Sequence, residues 1–251
     1  FNIGCQVASF YKEANLLNEP FLSLEEFVDK IASLPLAFQP GEAWRYSVSI
    51  DVLGRILEVL EEKRLEDILR NLILDPLGMN ETSFFLDKTK AERLMPMHGT
   101  NNFNELISLN QKDLVVVDIE KTHPSEGLNI HERGGGGLFS TVKDYQLFCK
   151  FLLYRKDKEG TPLISSMMHN FILKNRIQKN LLPLKIGPRL LDGYGWNLIG
   201  RVMIDSGQAM SLTNNGEFGW AGAATTFFWL DIEKSLSGVM MTQYAGPVSY
   251  T

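Results

Sequence analysis

The hydrophobic period of this chain changes once along its length. Through most of the first 175 residues, apolar side chains recur every three or four positions; after Gly193 they alternate. Runs at 194–202, 208–213, 223–230 and 236–242 are rich in Val, Ile, Thr, Phe and Trp, with turn signals such as Asn214-Asn215-Gly216 between them. Helices first and closely spaced strands last predict an α+β fold with an antiparallel sheet. No repeat or low-complexity linker divides the 251 residues, so one domain is expected, mainly helical over about 15–130 and stranded over about 190–245.

The helical stretches carry their own punctuation. Ser23-Leu24-Glu25-Glu26 is a capping box, in which Ser23 covers an orphan N–H and Glu26 reaches back. The helix it opens extends to Leu34, before Pro35. From Ser47 a second helix aligns Ile50, Leu53, Ile56, Leu57 and Leu60 in an apolar stripe. A third spans Leu65 to Leu74 and breaks at Asp75-Pro76-Leu77-Gly78. Residues 80–130 are irregular, with one short strand at Leu114–Val117. The glycines 134–137 then lead to a helix from Thr141 to about Tyr154, capped by Ser140, and another covers Ile164–Leu173.

Composition removes several classes of function. Lys+Arg number 25 against 30 Asp+Glu, a net charge of −5, and no basic stripe exists to neutralise phosphates, so nucleic acid is not expected as a partner. No apolar run reaches the roughly 18 residues that span a bilayer. Cys5 and Cys149 are far apart and outside any CxxC; they can pair, but two free thiols are the simpler reading and favour a reducing, cytoplasmic compartment. His98, His123, His131 and His169 show no i, i+4 pairing or HExxH, so neither a metal nor another cofactor is expected.

Four places can hold chemistry. The four-glycine loop lacks a following Gly-Lys-Ser/Thr, and a tight turn before a helix explains it better than a phosphate cradle. Ser-x-x-Lys occurs at Ser9–Lys12 and Ser140–Lys143; on a helix this spacing sets an ammonium beside a hydroxyl, yet roughly one occurrence is expected by chance. Pro40-Gly41-Glu42-Ala43-Trp44-Arg45-Tyr46-Ser47-Val48 sets a tyrosine on a loop entering a helix, where its phenol can serve as a general base or simply pack. Phe218-Gly219-Trp220-Ala221-Gly222-Ala223-Ala224 surrounds a Trp with small residues, which either admit a substrate to a strand edge or mark a bulge.

Taken in order, these segments resemble the serine β-lactamase-like family of class C β-lactamases, DD-peptidases and family VIII carboxylesterases. The resemblance runs through Gln39–Ser47, Asp51-Val52-Leu53-Gly54, Asp75–Met79, Gly134–Ser140 with Asp144-Tyr145, and Gly219–Ala223 on to Met241-Thr242-Gln243. It implies a β-lactamase/transpeptidase-like fold, a sheet flanked by helices plus an all-helical subdomain, and a serine acyl-enzyme acting on a small-molecule ester or acyl substrate. It makes Tyr46 the general base and the Ala223 N–H an oxyanion donor, with Val48, Trp220 and Gly222 lining the pocket. Val48 stands where β-lactamases place Asn, and Trp220 where they place Lys, which resembles the esterase and acyltransferase branch. The family's Ser-x-x-Lys lies well upstream of its tyrosine motif. The nucleophile helix, the first strands and the closing C-terminal helix are therefore expected outside the given sequence; penicillin binding and a non-catalytic binding role are the alternatives.

Overall fold

A computed structural model of the chain describes residues 7–16, 23–100, 114–116, 132–187, 189–209 and 211–245. Cys5, His123 and His131 lie outside them.

The helical part opens with α1 (Ala8–Glu13) and α2 (Leu24–Ala32). The capping box of α2 forms as read: Ser23 Oγ accepts from the Glu26 N–H at 3.2 Å, and Glu26 Oε2 accepts from the Ser23 N–H at 3.1 Å. Leu24 and Phe27 carry its buried face, which ends two residues short of Leu34. Helix α3 (Ser49–Glu61) starts two residues later than expected and turns most of its apolar stripe outward: Ile50 is 53% exposed and Leu60 72%, while Leu57 alone of the stripe packs on Leu24, Leu65 and Phe84. Its buried residues are Asp51 and Gly54 instead. A Cβ on Gly54 would lie 3.2 Å from a Leu65 methyl and 3.3 Å from one of Leu24, so glycine lets the neighbouring helices close in.

The expected helix from Leu65 to Leu74 is a composite. Regular α4 (Leu65–Leu69) gives way to a π-helical turn at Arg70–Leu74, where the Asp75 N–H reaches the Arg70 carbonyl, and then to α5 (Asp75–Leu77). Pro76 does not break the chain because it falls in the first turn of α5, where its missing N–H is not needed. Gly78, at φ +75°, ends it. After α6 (Lys88–Ala91), strands β1 (His98–Thr100) and β2 (Leu114–Val116) pair antiparallel.

Helix α7 (Val142–Tyr154) is capped by Thr141, whose Oγ1 accepts from the Asp144 N–H at 3.2 Å. Ser140, the expected cap, instead meets Thr82 Oγ1 at 2.7 Å. Helix α8 (Ser166–Leu173) follows its own cap, Ser165. Strands β3 (Leu184–Ile186) and β4 (Arg189–Leu191) form a separate hairpin.

The main sheet is antiparallel in the order β5 (Tyr194–Trp196), β6 (Arg201–Met203), β7 (Phe218–Ala221), β8 (Phe227–Asp231), β9 (Leu236–Met240). Two sequence expectations change here. The run 194–202 is two strands, because Asn197 Oδ1 accepts the N–H groups of Ile199 and Gly200, both at 2.8 Å, and folds the chain back. Among the described residues of the run 208–213 there is no strand: Asp205 starts a single 3-10 turn at Ser206–Gln208, and Leu212 beyond it is fully exposed. Strand β10 (Tyr244–Ala245) joins β1 in parallel.

One face of this sheet meets the helices. Val202, Phe218, Phe228 and Leu230 pack on Cys149, Phe151 and Leu152 of α7 and on Leu74, Leu77 and Met79. Each such buried Leu, Val or Phe contributes about 1.5–3 kcal/mol. On the other face, a Cβ on Gly238 of β9 would sit 2.4 Å from Trp229 Nε1, so the indole lies across a strand position kept bare. Among the described residues, no helix is long and apolar enough to cross a membrane.

Candidate active site

Tyr46 sits in the loop that leads from α2 to α3. That loop is shaped by a turn at Gln39–Glu42, with Gly41 at φ +92°, the Glu42 N–H on the Gln39 carbonyl, and the Gln39 N–H on Glu42 Oε2 at 3.0 Å. Tyr46 is 41% exposed. Its oxygen accepts a long hydrogen bond, 3.3 Å, from Nε1 of Trp220 on β7. Two motifs 174 positions apart in the sequence thus meet at one point.

Two further indoles complete the group. Trp196, at the end of β5, lies 4.5 Å from Trp220 in an edge-on arrangement, 5.1 Å from Trp44 and 6.2 Å from Tyr46, while Tyr46 and Trp220 are 5.3 Å apart, all between ring centroids. Tilted and edge-on contacts at these distances are the favourable ones for aromatic quadrupoles. The backbone of Trp196 is held on both sides, its N–H by Asn175 Oδ1 at 3.0 Å and its carbonyl by the Arg176 N–H at 2.7 Å. Glycine is required on β5 and before β6: a Cβ on Gly195 would lie 2.3 Å from Asn175 Oδ1, and one on Gly200 would lie 2.5 Å from the Gly219 carbonyl oxygen.

After β7 the chain makes a turn that begins at Gly222. The Gly222 N–H donates to the Thr226 carbonyl at 2.8 Å, and a Cβ on Gly222 would come within 2.2 Å of Thr226 Oγ1. Thr242 Oγ1 and the Tyr244 N–H both donate to the Ala224 carbonyl, at 2.8 and 3.2 Å, pinning the turn to the segment after β9. Ala223, at the apex, is exposed, and no acceptor among the described residues takes its N–H. The fifth predicted residue goes elsewhere: the Val48 side chain is buried with Leu16 and Phe27. Sequence reading gives Trp44, two residues before Tyr46 in the same motif, no role of its own, and misses Trp196 because a single aromatic outside any motif carries no signal.

The other candidates have structural uses. Ser9 and Lys12 are exposed on the six-residue α1. The glycine loop is clamped on α3 by the buried Asp51, whose Oδ1 accepts from Arg133 Nε at 3.1 Å and from the Gly135 N–H at 3.2 Å. Arg133 also stacks over Phe27, 4.2 Å from the ring centre. Behind it, buried Glu132 accepts the Glu66 N–H at 2.8 Å and pairs with Arg64; burial holds its carboxyl above the usual range. Among the described residues, no group of His, Cys, Asp and Glu is arranged to hold a metal. His169 instead meets the Leu152 carbonyl at 2.6 Å.

Sheet, helical layer and the loop-to-strand meeting of Tyr46 and Trp220 define a β-lactamase/transpeptidase-like α+β protein. The structure is similar to that of EstCE1, a hydrolase with promiscuous acyltransferase activity, with a TM-score of 0.74, 21% identity, and coverage of 94% of this chain and 61% of that one. The profile of the family described as Beta-lactamase matches residues 8–251, and the chain belongs to that family. Similar in sequence are Protein Rv1367c of Mycobacterium tuberculosis, 28% identical over 223 residues, and the lovastatin esterase of Penicillium rubens, 24% identical over 241. They are covered to 53% and 55% of their lengths, and 87% and 88% of this chain is matched, so it spans about half of these relatives.

Proposed function

We propose that this chain contributes the base and oxyanion side of an ester hydrolase or transacylase that works through a serine acyl-enzyme, the serine lying outside the 251 residues. The observation that carries this reading is the hydrogen bond that brings the Tyr46 phenol to Trp220, three residues before an N–H with no described acceptor at Ala223. In the reaction, Tyr46 Oη takes the serine proton as Oγ bonds to the ester carbonyl carbon. The carbonyl oxygen becomes an oxyanion and accepts from the Ala223 N–H. Collapse breaks the carbon–alkoxy bond, and the phenol returns the proton to the leaving alcohol. Water, or a second alcohol, then attacks the acyl-enzyme by the same route. Gly222 lets the turn that presents that N–H close against Thr226.

An uncharged indole, not an ammonium, faces the phenol, which favours neutral esters over β-lactams that present a carboxylate. Replacement of Tyr46 by Phe in the full-length polypeptide is expected to reduce p-nitrophenyl ester hydrolysis by about 10²-fold or more. Activity within threefold of the parent defeats the assignment. A chromogenic cephalosporin assayed beside the ester tests the alternative of penicillin recognition, and turnover of the cephalosporin alone reverses the substrate class. If neither is turned over while the ester still binds, the chain serves as a binding protein.

A further inference from the structure

We propose that Trp196 is a positioning residue for Tyr46, an assignment that rests on reading Tyr46 as the general base. Tyr46 lies on an exposed loop, and among the described residues its phenol oxygen has a single hydrogen-bond partner, Trp220 Nε1. The phenol is therefore only as fixed as that indole. Trp220 in turn rests edge-on against Trp196, with a 70° angle between the ring planes. Trp196 is the ring that touches all three others, and Asn175 and Arg176 hold its backbone on both sides. Without the Trp196 ring, the Trp220 indole keeps its packing against the core but loses its edge-on contact, and its N–H shifts off the phenol oxygen.

A base displaced by about 1 Å from its line to the nucleophile costs up to roughly 10²-fold in rate. Trp196 never contacts the reacting atoms in this scheme; its influence passes through Trp220 and Tyr46. Residues that act as one unit are non-additive, which separates such an effect from a general loosening of the fold.

The test is a double-mutant cycle in the full-length protein, with ester hydrolysis resolved into kcat and KM. Trp196→Ala is expected to lower kcat about tenfold with KM changed by less than threefold, while Trp196→Phe, which refills the space with a planar ring, keeps kcat within threefold. In a Tyr46→Phe background, Trp196→Ala is expected to change the residual kcat by less than twofold, since the base it positions is already gone. An equal fall in both backgrounds, an unchanged kcat in Trp196→Ala, or a Phe variant as impaired as the Ala variant overturns the proposal. Parent-like turnover by Tyr46→Phe alone defeats the base assignment instead, so the two failures are told apart by which single variant remains active.

Discussion

Gly134 lies so close to the Ile50 carbonyl that a Cβ on it would stand 2.2 Å from the oxygen. Two glycines later, Gly136 faces open space. The four-glycine loop therefore owes its composition to contact with α3 at one end and to no such contact further along.

From this follows a paired prediction. Gly134→Ala forces the loop off α3 and strains the bonds that Asp51 makes to Arg133 and Gly135. It is expected to destabilise by roughly 3 kcal/mol, near the upper end of overpacking. Gly136→Ala is expected to stay within about 0.5 kcal/mol of the parent. Urea denaturation followed by circular dichroism measures both, and equal effects of the two substitutions would sink the contact argument.

Glu132 gives a pH-dependent prediction. Desolvation is the largest influence on its carboxyl and outweighs the attraction of Arg64, whose side chain is more than half exposed. Its folded pKa is raised above the ordinary 4.5, so its contribution to stability is complete below that pH and is lost as pH rises through the folded value. Glu132→Gln removes this dependence. The melting temperature of the variant relative to the parent should be more favourable at pH 7 than at pH 4; a difference that is flat or falls with pH contradicts the sign.

Cys149 has no exposed surface, and burial pushes its thiol up to about 12. At pH 8 the thiolate fraction is then about one part in ten thousand. In a Cys5→Ser variant, a disulfide reagent at pH 8 is expected to label Cys149 only in step with unfolding by denaturant. Rapid labelling of the folded protein would place the thiol elsewhere than between α7 and the sheet.

Local signals carried much of the fold. Ser23 and Glu26 form their capping box because both partners lie within one turn, and the Val/Ile/Thr/Phe-rich runs after Gly193 mark β5, β8 and β9 by period, with β6 at the end of the run read as a single strand; β7 falls between the runs and stands out only through the small residues around Trp220. What escaped depended on side chains acting at a distance or on backbone hydrogen bonding within a run. Asn197 splits one expected strand by accepting two N–H groups, and Thr141 rather than Ser140 caps α7 because Ser140 is taken by Thr82. The stripe on α3 shows the limit of periodicity: spacing defines a face without saying which way it points, and here Asp51 and Gly54 are buried instead. At the candidate site, Tyr46 and Trp220 stood out through resemblance, whereas Trp44 and Trp196 required the sheet register and loop path to bring them together.

The chain has four tryptophans, and three of them are Trp44, Trp196 and Trp220. Three of its four indole absorbers therefore sit at one spot, the joint between the Tyr46 loop and the edge of the main sheet. Ring centroids 4.5 to 5.1 Å apart bring these chromophores close enough to exchange excitation, so any event that parts them alters intensity and anisotropy together. The protein thus carries an optical gauge of its own candidate site, sensitive to a guest between the rings and largely silent to fraying of the distant helices.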